Sequence, residues 1–477
     1  MGKVETGSTT HGRDLSRETL FYASAMIFSG LVQVAFLPFI SKYLEADEAG
    51  ELGILRMIAE AIAGVVVLGL PTALVRAWQR TDVPRAVLAR GLLFPVVPSV
   101  LAALVVVLSR NVLAEIFSLQ NADYLFHAVL LGVGIAYVQI ALALPRAEGL
   151  AGRYLLMQLA RGLLSLGLLA VFLTGTALPP IPSFMVSRWL PSVLLAVFAS
   201  VMMWRRTSDS PRDFSGGNVT GELLRFSLPL VPATLSMIVL SSADMFMLRS
   251  IHPDLSESGY YEWASRAGMV LMPLIIGFNM AWKRFIFRKR DTGGTLGELG
   301  RAGMIFMVMV NWAALMLAMS ASWLVPLVGG ADYLPAARVL PTLAGATAMY
   351  GLFLVSQTGC LLTGQTGFIA WMTLFGAILN IGFNLRLIPV AGALGAAFAT
   401  MATNLFMALS LFWIGRKIFP VDFLVVTAMV LPPVVFGFLA ELGMEWRMTL
   451  VLAGTLVTVM VLLRMRVSEK YDRKAEA

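Results

Sequence analysis

Charge is scarce in this sequence. Of 477 residues only 13% are Asp, Glu, Lys or Arg, against 58% hydrophobic, and the mean hydropathy is +0.80. Soluble domains carry about a quarter charged residues, so a water-soluble fold is excluded. Cysteine is nearly absent: Cys360 stands alone in an apolar run, which rules out a disulfide framework. The three histidines, His11, His127 and His252, are too scattered for metal-ligand spacing. No GxxxxGK(S/T) loop occurs, so the chain does not hydrolyse nucleotide itself. The glycine-rich stretch 293–300 lacks the lysine such a loop needs and reads as a flexible connection. No catalytic constellation is present, and the chain is not read as an enzyme.

What the sequence has instead is long apolar runs. A membrane-spanning helix needs about 20 mainly apolar residues. On that rule there are fourteen, near 19–41, 51–75, 87–109, 122–145, 151–174, 182–204, 223–248, 258–281, 302–327, 336–361, 367–388, 391–415, 421–440 and 447–464. The runs are continuous rather than alternating, which selects helices over transmembrane strands. The first run is too long for a signal-peptide core, so it reads as an uncleaved span behind a short cytoplasmic tail.

The basic residues support this count. With the N-terminus inside, and a residue within four positions of a span's end counted with the adjoining segment, cytoplasmic segments hold 26 of the 36 Lys and Arg residues, outer loops hold 6, and 4 (Arg56, Arg161, Arg188 and Arg266) lie deeper within spans. An error of one span in mid-chain would invert every later loop and destroy that contrast, so both termini are expected to be cytoplasmic. The formal charge of +8 is therefore topological, and nucleic acid is not expected as a partner. The sequon Asn218-Val219-Thr220 lies in a cytoplasmic segment and is read as chance.

A unit is used twice. Residues 19–80 run through an apolar segment, an acidic break from Glu45 to Glu51, Gly50-Glu51-Leu52-Gly53, a span containing Arg56, and Ala77-Trp78-Gln79-Arg80. Residues 222–290 repeat the plan, with Gly259-Tyr260-Tyr261-Glu262-Trp263-Ala264, a span containing Arg266, and Ala281-Trp282-Lys283-Arg284. Six helices separate the two copies, so they enter the membrane in the same sense and form parallel repeats. The expected architecture is all-α: a six-helix lobe over 1–210, a second over 211–420, and an added helix pair with a cytoplasmic tail over 421–477. Pro229 and Pro232, at the head of the second lobe, are a hinge candidate.

The informative residues are charges inside spans. An arginine at the helix centre costs about 2.5–3.5 kcal/mol on insertion scales, so it faces a partner or a wet cavity. Arg56 and Arg266 hold near-equivalent places in the repeats. Facing each other across a repeat interface they form an anion site; alternatively Arg56 pairs with Glu60 one turn on, and Arg266 with Glu262 one turn back. Arg161 lies two to three turns from the cytoplasmic end of helix five, and Arg146 at that end of helix four. With the outer pair they make a ladder of positive charge; alternatively Arg146 is a topology charge at the cytoplasmic end. Arg188 either joins it or snorkels outward. Asp244 is a coupling-ion ligand or an arginine partner. Asn380, Asn384 and Asn404 either bond sugar hydroxyls or join helices.

Asp244, Gly259-Tyr260-Tyr261 with Ala264, and Gly392-Ala393-Leu394-Gly395-Ala396-Ala397 resemble the bacterial polysaccharide-exporter family. Its members are Wzx-type flippases of lipid-linked oligosaccharides, within the superfamily that holds multidrug-extruding transporters and the lipid II flippase. The resemblance covers the whole chain in length and helix count. It implies a cavity alternating between two sides of the bacterial inner membrane and an undecaprenyl-pyrophosphate-linked glycan as substrate. It also implies a proton or sodium gradient as driver, no bound cofactor, and polymerase and glycosyltransferase machinery as partners beside membrane lipids. The family's cationic cavity matches Arg56, Arg161 and Arg266 by location. A drug exporter on the same fold would be expected to carry an acidic cavity, and a membrane polymerase a substantial outer-loop platform; neither fits as well. The lipid II flippase is the nearest rival.

Overall fold

The apolar runs become helices because hydrocarbon offers no partner for a backbone N–H or C=O, and a helix satisfies both internally. In the computed structural model the described residues are Phe21, 24–207 except 68, 79–83 and 177, four positions between 221 and 227, and 231–415 except 292–295. Among them there is no strand. The expected helix pair at 421–464, the sequon and Pro229 lie outside the described residues. By contacts the chain divides into two compact units, Met1–Ser250 and Ile251–Ala477.

The first unit holds α1 (Ser24–Tyr43), α2 (Ala46–Trp78), α3 (Pro84–Leu108), α4 (Tyr124–Ala147), α5 (Ala151–Gly175), α6 (Pro180–Arg206) and α7 (Val231–Ile251). A short helix, Arg110–Ile116, follows α3. Of the six spans from α1 to α6 the most buried is α4, packed between α2 and α6. It approaches α2 closely because Gly132 has no side chain: a Cβ there would lie 2.6 Å from the Ala59 carbonyl oxygen. By contrast Val97, Val100, Leu101, Leu104, Val105 and Leu108 of α3 are exposed, an apolar face suited to lipid rather than water.

The second unit begins with α8 (256–291), which is interrupted by a 3-10 turn at Met269–Leu271. Pro273 has no N–H to give the Met269 carbonyl, and this breaks the α-helical ladder. In the first unit α2 breaks in a similar place, with Gly69 at φ 73° just before Pro71. Next come α9 (Leu296–Gly329), α10 (Ala336–Ser356, extended by Thr358–Thr363) and the long element Thr366–Gly415. The last turns sharply at Gly392 (φ 51°, ψ −130°) into α11 (366–391) and α12 (393–415). The carboxylate of Glu257 accepts the Ala393 N–H at 2.7 Å and so caps α12. The central helix here is α10, packed against α8, α9 and the long element, with Asn404 of α12 donating to its Ala346 carbonyl at 3.0 Å. The fourth helix of each half thus meets the second and sixth, as parallel repeats require.

Among the described residues, side-chain hydrogen bonds tie several helix ends together. Arg249, 2% exposed at the end of α7, donates to the carbonyls of Asp47, Phe117 and Ser118 at 3.0–3.1 Å. Glu51 of α2 accepts the Gln120 N–H of the same turn at 3.0 Å. In the second unit, the Trp282 indole donates to Thr358 at 3.0 Å, joining the far ends of α8 and α10. Sequence repeats start the second lobe before α7, whereas contacts pack α7 with the first six helices; the two partitions differ by this one helix.

Candidate functional site

The first unit forms an open cavity of about 810 Å³. Helix geometry decides what faces it. On α5, Tyr154, Gln158 and Arg161 fall at i, i+4 and i+7, one stripe of a 3.6-residue helix, and all three line the cavity. On α2 the stripe is Arg56, Glu60, Ala63, Gly64 and Val67. Arg146 and Gln139 reach in from α4, Arg188 and Ser192 from α6, and Gln33 from α1. Lining from α7 comes through Met237, Ile238, Ser241 and Ser242.

Four arginines and one carboxylate therefore share a single space. Each arginine is held differently. Arg56 donates to Glu60 at 2.6 Å. Arg188 donates to the side-chain amide oxygen of Gln33 at 2.8 Å, and its guanidinium lies 4.4 Å from the centre of the Phe36 ring. These contacts turn it inward, so it does not snorkel. Arg146 bonds the Leu142 carbonyl at 3.2 Å and lies 5.7 Å from the centre of the Tyr154 ring. Arg161 has no hydrogen-bond or carboxylate partner among the described residues. A partly buried guanidinium without an acid attracts an anion, since in low dielectric its own field is weakly screened.

The cavity thus gathers Arg56, Glu60, Arg161 and Arg188, together with Arg146. It does not include Arg266, Glu262 or Asp244. In the second unit, Arg266 and Glu262 pair at 2.6 Å with side chains only 2% and 1% exposed. Asp244 is buried on α7. Asn384 donates to Asn380 at 3.1 Å inside the second unit, where both are fully buried. Sequence reasoning missed the amides Gln33, Gln139 and Gln158 and the phenol Tyr154. The available signal was polar side chains one helical turn from an intramembrane arginine, as Gln158 stands to Tyr154 and nearly to Arg161. Together the arginines can hold phosphate oxygens, and the amides can bond hydroxyls.

No protein-family profile matches the chain, and no curated relative matches it. Solved structures do. The chain is similar to the lipid II flippase MurJ in an inward closed conformation, with a TM-score of 0.66 at 14% identity over 96% of this chain and 100% of that one. It is similar to an inward-facing multidrug resistance MATE family transporter of the MOP superfamily, with a TM-score of 0.65 at 18% identity over 84% of this chain and 94% of that one. An outward-facing MATE structure matches over the same shares with a TM-score of 0.55, also at 18% identity. At these identities the likeness concerns the fold: an all-α, multi-pass membrane protein with the helix arrangement of MATE transporters and MurJ.

Proposed function

We propose that the chain is a flippase that moves an undecaprenyl-pyrophosphate-linked oligosaccharide, an O-antigen or exopolysaccharide repeat unit, across the bacterial inner membrane by alternating access. The observation that carries this reading is the cavity lined by four arginines and one carboxylate. A pyrophosphate headgroup must cross a hydrocarbon core about 30 Å thick, and guanidinium forks in low dielectric suit phosphate oxygens better than any other side chain. Arg161, without an acid partner, takes the diphosphate. Gln33, Gln139 and Gln158 bond the hydroxyls of the first sugars. The polyprenyl tail stays in lipid.

In this reading the lobes are 1–210 and 211–420, with 421–477 as an added pair, and both termini are cytoplasmic. Asp244 belongs to the coupling machinery for a proton or sodium ion. Partners are the polymerase and glycosyltransferases that consume and supply the glycan. The lipid II flippase is the second reading, favoured by the same arginines because its substrate carries the same diphosphate. A drug exporter for cationic compounds fits the cation-rich lining less well.

The test is mass spectrometry of lipid-linked glycans in a strain lacking the protein. Accumulation of one undecaprenyl-pyrophosphate oligosaccharide on the cytoplasmic leaflet, reversed by the intact gene, is the expected result and names the substrate. Accumulated lipid II selects the second reading. An unchanged lipid pool with greater sensitivity to cationic drugs overturns both.

A further inference from the structure

Among the described residues, Glu60 is the only carboxylate in the cavity lining. Its bond to Arg56 is short, 2.6 Å, but the two partners are unequally placed. The Arg56 side chain is 7% exposed and that of Glu60 is 42% exposed. The arginine is tucked behind, and its acid faces the space a ligand would occupy. The pair on α8 shows that this asymmetry does not come from the i, i+4 spacing, because there both partners are sealed.

We propose that Glu60 is a resident counter-anion: it occupies Arg56 when the cavity is empty, is displaced by the entering diphosphate, and recaptures Arg56 to release it. This rests on the reading of the cavity as an anion site and adds the control of affinity at that site. The physical reason is a balance. A diphosphate gripped by several guanidiniums with no competing anion would be slow to leave, and a transport site must bind well enough to load and weakly enough to unload. An intramolecular acid one helical turn away competes at a high effective concentration and costs no diffusion step. Displacement is sterically open, since Glu60 already projects into the cavity and the residues of α7 lining it are Met237, Ile238, Ser241 and Ser242, none of them charged.

The test is calorimetric titration of inorganic pyrophosphate into the purified full-length protein at fixed ionic strength, comparing the wild type with Glu60→Gln and Glu60→Ala. The glutamine is isosteric and still accepts a hydrogen bond from Arg56, so the fold is retained. The alanine removes the competitor altogether. Both variants are expected to bind pyrophosphate about tenfold more tightly than the wild type, the scale of one half-exposed charge contact removed. Wild-type binding with equal or weaker binding in both variants overturns the counter-anion proposal and leaves the anion site standing. Absence of binding in all three, with no response to Arg161→Ala, overturns the anion site and this proposal with it.

Discussion

Two ion pairs in this molecule have the same length and the same spacing, and opposite surroundings. Arg56 and Glu60 on α2, and Glu262 and Arg266 on α8, are each four residues apart and 2.6 Å from contact. In the second unit neither partner sees solvent, and Trp263 and Tyr333, both fully buried, lie in the same core. In the first unit the acid is open to the cavity. A sealed pair has paid its desolvation cost in full and cannot change partners; an open pair keeps a partner it can exchange. The same two residue types are therefore sealed in one half and open to a cavity in the other.

The comparison can be broken most forcefully in the sealed pair. Arg266→Ala removes the guanidinium 2.6 Å from the buried Glu262 carboxylate and is expected to destabilise the protein by about 3–5 kcal/mol. It should be read as a lower melting temperature in detergent and less protein in the membrane. Replacing both partners, Arg266→Met with Glu262→Leu, should recover most of that loss, because packed apolar side chains replace a buried pair at little cost. If the double variant is as unstable as Arg266→Ala, the pair serves more than structure. A smaller effect, of a different kind, is expected in the cavity. Arg161→Ala should leave melting unchanged and weaken pyrophosphate binding by about 2 kcal/mol, the scale of a charge-assisted hydrogen bond lost. The contrast is sharpened by Arg56→Ala, which should cost less stability than Arg266→Ala, since the acid left behind, half-exposed Glu60, can be hydrated where it stands. A loss as large as that from Arg266→Ala would erase the distinction between the halves.

Much of the helix plan was legible. The runs near 122–145 and 151–174 emerge as Tyr124–Ala147 and Ala151–Gly175, because hydropathy reports the lipid-crossing part directly. Others were underestimated. The run near 302–327 emerges as Leu296–Gly329, and that near 258–281 as an element reaching Asp291, because helices continue past the hydrocarbon edge into residues that hydropathy scores as loop. Pro232 lies within α7, and its partner in the hinge reading, Pro229, lies outside the described residues. The glycine run beginning at Gly392 was read as a packing surface. It is also a turn, since Gly392 adopts a positive φ and Glu257 caps the helix that follows.

The arginines themselves were visible from the cost of burying them, and so was the choice each faced between a cavity and a local partner. Arg56 and Arg266 were equivalent by position in the repeat, and no periodicity could have separated them. The supporting amides passed unnoticed because a neutral side chain in a span carries little insertion cost and leaves no mark in the charge pattern. Arg249 looked like an ordinary loop charge, yet it organises three backbone carbonyls from segments over 130 residues away.

From the sequence alone came the class of molecule, the helices, the repeat and the short list of cations that need an explanation, because those follow from transfer free energies and local spacing. Tertiary structure decided which of these cations share a space, which acid is sealed and which is open, and that Gln33 and Phe36 turn Arg188 inward. Those outcomes depend on which helix faces meet, and helix faces meet through residues far apart in the chain.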